Sequence, residues 1–180
     1  MAESRDALEK FGVTEDAMRA IQKSLAKLAG QGNLKDLVDL DEIHGSSSMT
    51  AAPLASDGEN GITLFIVRFA AESTTPVHDH LTWGVIHVLE GRDRYIQWER
   101  TDDGSSEGHA ELRVKKEQIL MPGESVYWLA PPEDIHSQET MDEEVWELVI
   151  AGRDLMSEGV THHRHYYDPA ASTVSKAIEE

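Results

Sequence analysis

The sequence predicts a mainly β protein, an antiparallel sandwich or jelly roll, with helices at its N-terminus. Two observations carry that prediction. From Ile62 onward, short runs rich in Val, Ile, Leu, Tyr and Trp are divided by turn clusters such as Pro122-Gly123 and Pro131-Pro132. Before them, apolar residues recur at helical spacing instead. No internal repeat breaks the pattern.

Composition bounds the rest. A chain of 180 residues, 39% hydrophobic and 28% charged, is expected to form a single domain, 1–180, with one sizeable core. A helical cover is expected over 1–45 and a β-barrel over 62–169. The formal net charge of −18 argues against nucleic acid and anionic membranes as partners, since both require clustered Lys and Arg. Screening confines that repulsion to roughly 8 Å at physiological salt, so an anionic small molecule is not excluded. There is no cysteine, hence no disulfide, thiolate ligand or catalytic thiol. With no signal-peptide core and no spanning run, the expected location is cytoplasmic. The oligomeric state is not legible.

Thr14 is placed to cap a helix whose apolar positions are Ala17, Met18, Ile21, Leu25 and Leu28, with Gly30 to stop it. Leu34 to Val38 forms a second short piece. Gly45 to Gly61, rich in Ser, Ala and Gly, reads as a loop. Ile62 to Ala70 is apolar on both faces and reads as a central strand. Arg94 to Thr101, Ala110 to Lys115, Gln118 to Met121, Ser125 to Ala130 and Glu144 to Ile150 read as further strands. Ala110 to Lys115 alternates cleanly, which predicts one wet face. The tail from Ser172 is expected to fray.

The chemistry centres on Thr75-Pro76-Val77-His78-Asp79-His80-Leu81-Thr82-Trp83-Gly84. In an extended chain residues i and i+2 share a face, so His78 and His80 present two imidazoles side by side. Imidazole is the commonest neutral ligand for zinc, iron, copper and nickel. Two such ligands make half a site. The best candidate for the third is His136, which follows Pro131-Pro132 and precedes a strand-like run.

Thr75 to Gly91, with Leu120 to Trp128 and Pro132 to His136, resembles the two motifs of the cupin superfamily. Within it, the chain is similar to the bacterial cysteine dioxygenase and 3-mercaptopropionate dioxygenase (thiol dioxygenase) branch, as is its tail at Gly152-Arg153-Asp154-Leu155 and Arg164-His165-Tyr166-Tyr167-Asp168-Pro169. The resemblance implies a cupin double-stranded β-helix holding one mononuclear iron(II), Fe(2+), on His78, His80 and His136. It also implies dioxygen and a small-molecule substrate as partners. Most cupins add a glutamate shortly after the paired histidines; those places here hold Gly84 and Val85. Glu90 lies too far along the strand to substitute. The branch's Ser-His-Tyr relay falls on Glu147, Val149 and Ala151, and its upstream substrate arginine has no counterpart between Met49 and Gly61.

Two further residues are catalytic candidates. Arg68 shares strand parity with Ile62, Leu64 and Ile66, so it is expected to point into the barrel, to hold an anionic substrate or pair with Glu147. Glu147 shares parity with Val145 and Val149, as a buried base or as an edge-exposed carboxylate. His87 reads as a pocket or a satisfied structural residue. Trp83, Tyr127 and Trp128 read as pocket lining or core, and His162, His163 and His165 as surface and docking residues. The expected function is an iron(II) dioxygenase acting on a thiol or enolisable carbonyl compound. Alternatives are a zinc, nickel or manganese cupin doing hydrolytic, lyase or isomerase chemistry, and a non-catalytic metal- or ligand-binding cupin.

Overall fold

The computed structural model describes residues 1–38, 48–58, 61–155 and 164–176. Two α-helices lead, α1 (Ala2–Phe11) and α2 (Glu15–Ala29), broken at Gly12, whose φ of 67° suits glycine. The Thr14 hydroxyl accepts from the Ala17 amide and caps α2, while Ala17, Met18, Ile21 and Leu25 turn inward at the expected spacing. Eleven strands follow among the described residues: β1 (Met49–Ser56), β2 (Thr63–Phe69), β3 (Val77–His78), β4 (Gly84–Glu90), β5 (Asp93–Arg100), β6 (Leu112–Leu120), β7 (Ser125–Trp128), β8 (His136–Thr140), β9 (Val145–Ala151), β10 (His165–Asp168) and β11 (Thr173–Lys176).

They form two antiparallel sheets, ordered β1-β2-β9-β4-β7 and β11-β10-β3-β8-β5-β6. The chain passes from one sheet to the other at β2 to β3, β3 to β4, β4 to β5, β6 to β7, β7 to β8, β8 to β9 and β9 to β10. That alternation is the winding of a double-stranded β-helix, or jelly-roll barrel. The cupin-type barrel with N-terminal helices is therefore the architecture of this chain. No helix among the described residues is long and apolar enough to cross a membrane.

The first sheet is buried on both faces. Its inner face contributes Phe65, Val67, Phe69, Ile86, Val88, Val145 and Val149 to the barrel interior, where Tyr95 and Leu120 meet them from the other sheet. Its outer face, with Leu64, Ile66, Val85, Trp146, Leu148 and Ile150, lies under Met18, Ile21 and Leu25 of α2. Strands with an apolar run on both faces are what such a doubly covered sheet requires.

Four expectations about elements need correction. Met49–Ser56 is not loop but an edge strand paired with β2; its register shifts between Pro53 and Ala55, and an edge bulge tolerates the proline's missing N–H. Ala110 to Lys115 and Gln118 to Met121 are not two strands but one, the edge strand β6. It is exposed along most of both faces, because its far side has no neighbour. Thr173–Lys176 is held as a strand by backbone pairing to β10, although its side chains bury little. Backbone pairing leaves no trace in a hydrophobic pattern.

Candidate metal centre

Strand pairing closes the gap between the two histidine segments. His78 at the end of β3 sits directly opposite His136 at the start of β8, and opposite Tyr166 of β10 on its other side. The chain turns just after His80, where Leu81 adopts a φ of 54°. The extended run that places His78 and His80 on one side is thus very short.

The three imidazoles converge. Their candidate ligand nitrogens all lie within 4.8 Å of one another, and all three residues are buried. His78 Nδ1 faces the Pro76 carbonyl at 2.9 Å, and His136 Nδ1 faces the Asp134 carbonyl at 3.1 Å. A carbonyl only accepts, so both Nδ1 atoms carry the proton and both Nε2 atoms keep a free lone pair. His78 Nε2 and His80 Nε2 are 3.2 Å apart. Two imidazole nitrogens at ~2.0–2.2 Å from one ion, subtending about 90–110°, are separated by roughly 2.9–3.5 Å. The residues therefore fit a metal ion. Burial lowers the pKa of His78 to about 4 and holds His80 and His136 well below the ordinary imidazole value. All three are neutral at pH 7, the state in which imidazole ligates.

A second set of groups holds the loop in place. Asp134 Oδ2 accepts from the backbone N–H of His80 at 3.1 Å and of Leu81 at 2.7 Å. Asp79, turned to the opposite side from its two histidine neighbours, accepts from the His165 N–H and the Tyr167 hydroxyl and contacts His165 Nδ1 at 2.7 Å. His165 is thus a docking residue, as expected, and part of the support for this loop. His162 and His163 lie outside the described residues.

Position 84, after the paired histidines, has no room for a side chain of any kind. A Cβ at Gly84 would come within 2.0 Å of Trp128 Cζ2. The indole fills the space a side chain there would need, and stacks on His80 with centroids 5.2 Å apart. Of the three aromatic candidates, Trp128 lines the cavity, whereas Trp83 and Tyr127 pack on the outer face under the helices. His87 also faces away; its Nδ1 bonds to Ser125 Oγ at 2.7 Å, so it is a satisfied structural histidine.

The histidines open onto a cavity of ≈ 200 Å³, otherwise walled mostly by apolar side chains including Phe65, Val67, Phe69 and Leu155. Glu147 lines it too and is 0% exposed, so the edge-exposed alternative is overturned. Gln138 Nε2 donates to Glu147 Oε2 and to Asp93 Oδ2, both at 3.0 Å. Burial and the neighbouring Asp93 push the Glu147 carboxyl far above its usual range, which favours its protonated form. Arg68 corrects the sequence reading most clearly. Its parity with Leu64 and Ile66 is real, but that face of β2 lies outside the barrel, and Arg68 pairs with Glu144 rather than Glu147. It does not line the cavity. Sequence reasoning missed Arg164 and Tyr166, which do.

A jelly-roll barrel with a buried three-histidine cluster is the class that fold and site define. No protein-family model matches the sequence, and no curated protein matches it. Solved structures with a similar fold include KdgF from Halomonas sp., at 12% identity over 62% of this chain and 84% of that one, TM-score 0.46. A Cupin 2 conserved barrel domain protein from Salinispora arenicola CNS-205 shares 15% identity over 63% of this chain and 83% of its own, TM-score 0.45. The DMSP lyase DddQ from Ruegeria pomeroyi DSS-3 shares 15% identity over 73% of each chain, TM-score 0.46. At this distance these likenesses concern architecture, not chemistry.

Proposed function

We propose that this chain is a mononuclear metal-dependent oxygenase, with His78, His80 and His136 as ligands to iron(II) and a small anionic organic molecule as substrate. The observation that carries the reading is the convergence of three neutral imidazoles on the wall of an apolar cavity. When bound, such an ion supplies open positions for substrate and dioxygen together with accessible redox chemistry.

The chain's own residues do the rest. Pro76 and Asp134 carbonyls fix the tautomers, so the lone pairs point at one place without rearrangement. Three uncharged ligands leave the charge of a divalent ion uncancelled, which favours an anion beside it. Phe65, Val67, Phe69 and Leu155 exclude water around it. The relay of hydroxyl, imidazole and phenol found in thiol dioxygenases has Glu147, Val149 and Ala151 in its place, so cysteine itself is a poor candidate substrate.

One observation favours a second reading. Glu147 lines the cavity with its carboxyl pushed towards the protonated form, a proton donor of the kind a zinc, nickel or manganese lyase, isomerase or hydrolase would use. Metal analysis after anaerobic purification, then oxygen uptake with a panel of small thiols and β-dicarbonyls, separates the two. The oxygenase reading expects uptake with iron(II)-loaded protein and none with zinc, which has no redox chemistry. Turnover that is equal with zinc and independent of oxygen would favour the second. Loss of metal binding in His136→Ala is expected in either case.

A further inference from the structure

Glu147 of β9 and Asp93 of β5 meet across the barrel from opposite sheets, and both are 0% exposed. One amide serves them both: Gln138 Nε2, from β8, lies 3.0 Å from Glu147 Oε2 and 3.0 Å from Asp93 Oδ2. The two carboxyls are also within hydrogen-bonding reach of each other. A carboxylate only accepts, so that contact requires a proton on one of the two. Tyr95, also on β5, is the other titratable group facing the pair, while the strands flanking Glu147 set Val67 and Val88 beside it. The members differ in access: Glu147 and Gln138 line the cavity that holds the histidines, and Asp93 lies behind them. A polar link between two sheets needs only one acid and one amide. The second acid adds a like charge, which is costly in an apolar interior, and gives a proton a second place to sit.

We infer that Asp93 and Glu147 form an acid pair sharing one proton, that Glu147 exchanges a proton with a carbon acid bound in the cavity, and that Asp93 and Gln138 are its positioning residues. The pair stands on its own geometry. The class of carbon acid, a small enolisable carbonyl compound rather than a thiol, rests on the metal reading and deepens it. A thiol carries its proton on sulfur, with a pKa of about 8.5, and gives it up readily to water. A C–H bond beside a carbonyl instead needs a base held against it. In the step, the C–H bond breaks, the proton passes to a Glu147 carboxylate oxygen, and the bonding pair moves through to the carbonyl oxygen as an enolate. Return of that proton to carbon reverses it. Apolar walls such as Phe65 and Val67 keep competing water from the proton.

The test uses 5-nitrobenzisoxazole, a flat carbon acid that reports base catalysis by colour. Its C–H proton goes to the base, the C–H pair completes the nitrile, and the N–O bond breaks to release a phenolate. The full chain, metal-free and zinc-loaded, is expected to raise the rate above buffer in both forms, increasingly as the pair ionises with rising pH. Glu147→Gln is expected to lower that rate at least about tenfold in both forms, and Arg68→Gln to leave it unchanged. Asp93→Asn removes the neighbouring charge, so Glu147 releases its proton more readily and the midpoint of the pH profile should move to lower pH. A merely structural link would alter the height of the profile and leave its midpoint. No rate with wild type, a rate that survives Glu147→Gln in either form, or an unmoved midpoint in Asp93→Asn would overturn the inference. A rate that depends on Glu147 in protein that binds no zinc would sustain the pair, and sink the metal reading together with the choice of a carbonyl substrate. A second measurement needs no variant. At pH 6, where ordinary carboxyls are ionised, the infrared spectrum of the metal-free wild type is expected to keep a protonated-carboxyl band that fades over the range in which the rate rises; its absence would overturn the inference.

Discussion

Trp128 and Gly84 face each other across β7 and β4, and the indole occupies the volume that a side chain at position 84 would need. The same indole lies almost parallel to His80, at an interplanar angle of 25°. One pairing thus both closes position 84 to any side chain and packs an indole against one of the three histidines. Gly84→Glu is expected not to add a ligand but to displace Trp128. Overpacking of this kind costs about 1–3 kcal/mol, so the melting temperature should fall while metal affinity does not rise. Differential scanning calorimetry with a zinc titration measures both.

Asp134 is worth more to the site than its distance from the ligand nitrogens suggests. Removing its carboxylate in Asp134→Ala leaves the buried N–H of His80 and the half-buried N–H of Leu81 without acceptors. An unsatisfied buried donor costs about 1–3 kcal/mol. Loss of a supporting contact of this type typically lowers metal affinity about 10–100-fold. Asp134→Asn, which keeps one accepting oxygen, is expected to fall between wild type and Ala in a competitive chelator titration.

The site's titrating groups oppose one another, and the sign follows from their environments. Buried histidines with lowered pKa values take up protons on unfolding below pH 6.5, so they make the fold less stable as pH falls towards 4. Glu147 and Asp93, both raised by burial, release protons on unfolding above the ordinary carboxyl range, so they make it more stable as pH falls. Glu147→Gln removes one of the releasing groups. Above the ordinary carboxyl range and below pH 6.5 the metal-free variant should therefore lose stability on acidification more steeply than wild type. Urea unfolding in the presence of a chelator reads this slope directly.

Arg68→Ala tests the corrected placement. Its partner Glu144 is nearly half exposed, and exposed pairs contribute roughly 0–1 kcal/mol. The variant should unfold within that margin of wild type and bind metal unchanged. A tenfold loss of metal binding would return Arg68 to the cavity.

The contrast between Arg68 and Glu147 shows where sequence reading ends. Strand parity assigned each correctly to a face, with Leu64 and Ile66 in one case and Val145 and Val149 in the other. Parity does not say which face is the barrel interior when both are apolar. In β2 and β9 both are, because the helices cover the outer one. The inward face became identifiable only once α2 was seen to claim the other.

The sequence by itself determined the jelly-roll class, the capped amphipathic helix at Thr14 and the histidines at 78, 80 and 136. These rest on local periodicity, turn residues and side-chain chemistry, which every short window of chain carries. Tertiary structure alone decided that His78 meets His136, that Trp128 fills the space beside Gly84, and that Arg164 and Tyr166 reach the cavity. Each of these joins segments far apart in the chain through strand pairing and packing. Contacts of that kind depend on register and on volume filled by distant side chains, and neither quantity is written in the order of neighbouring residues.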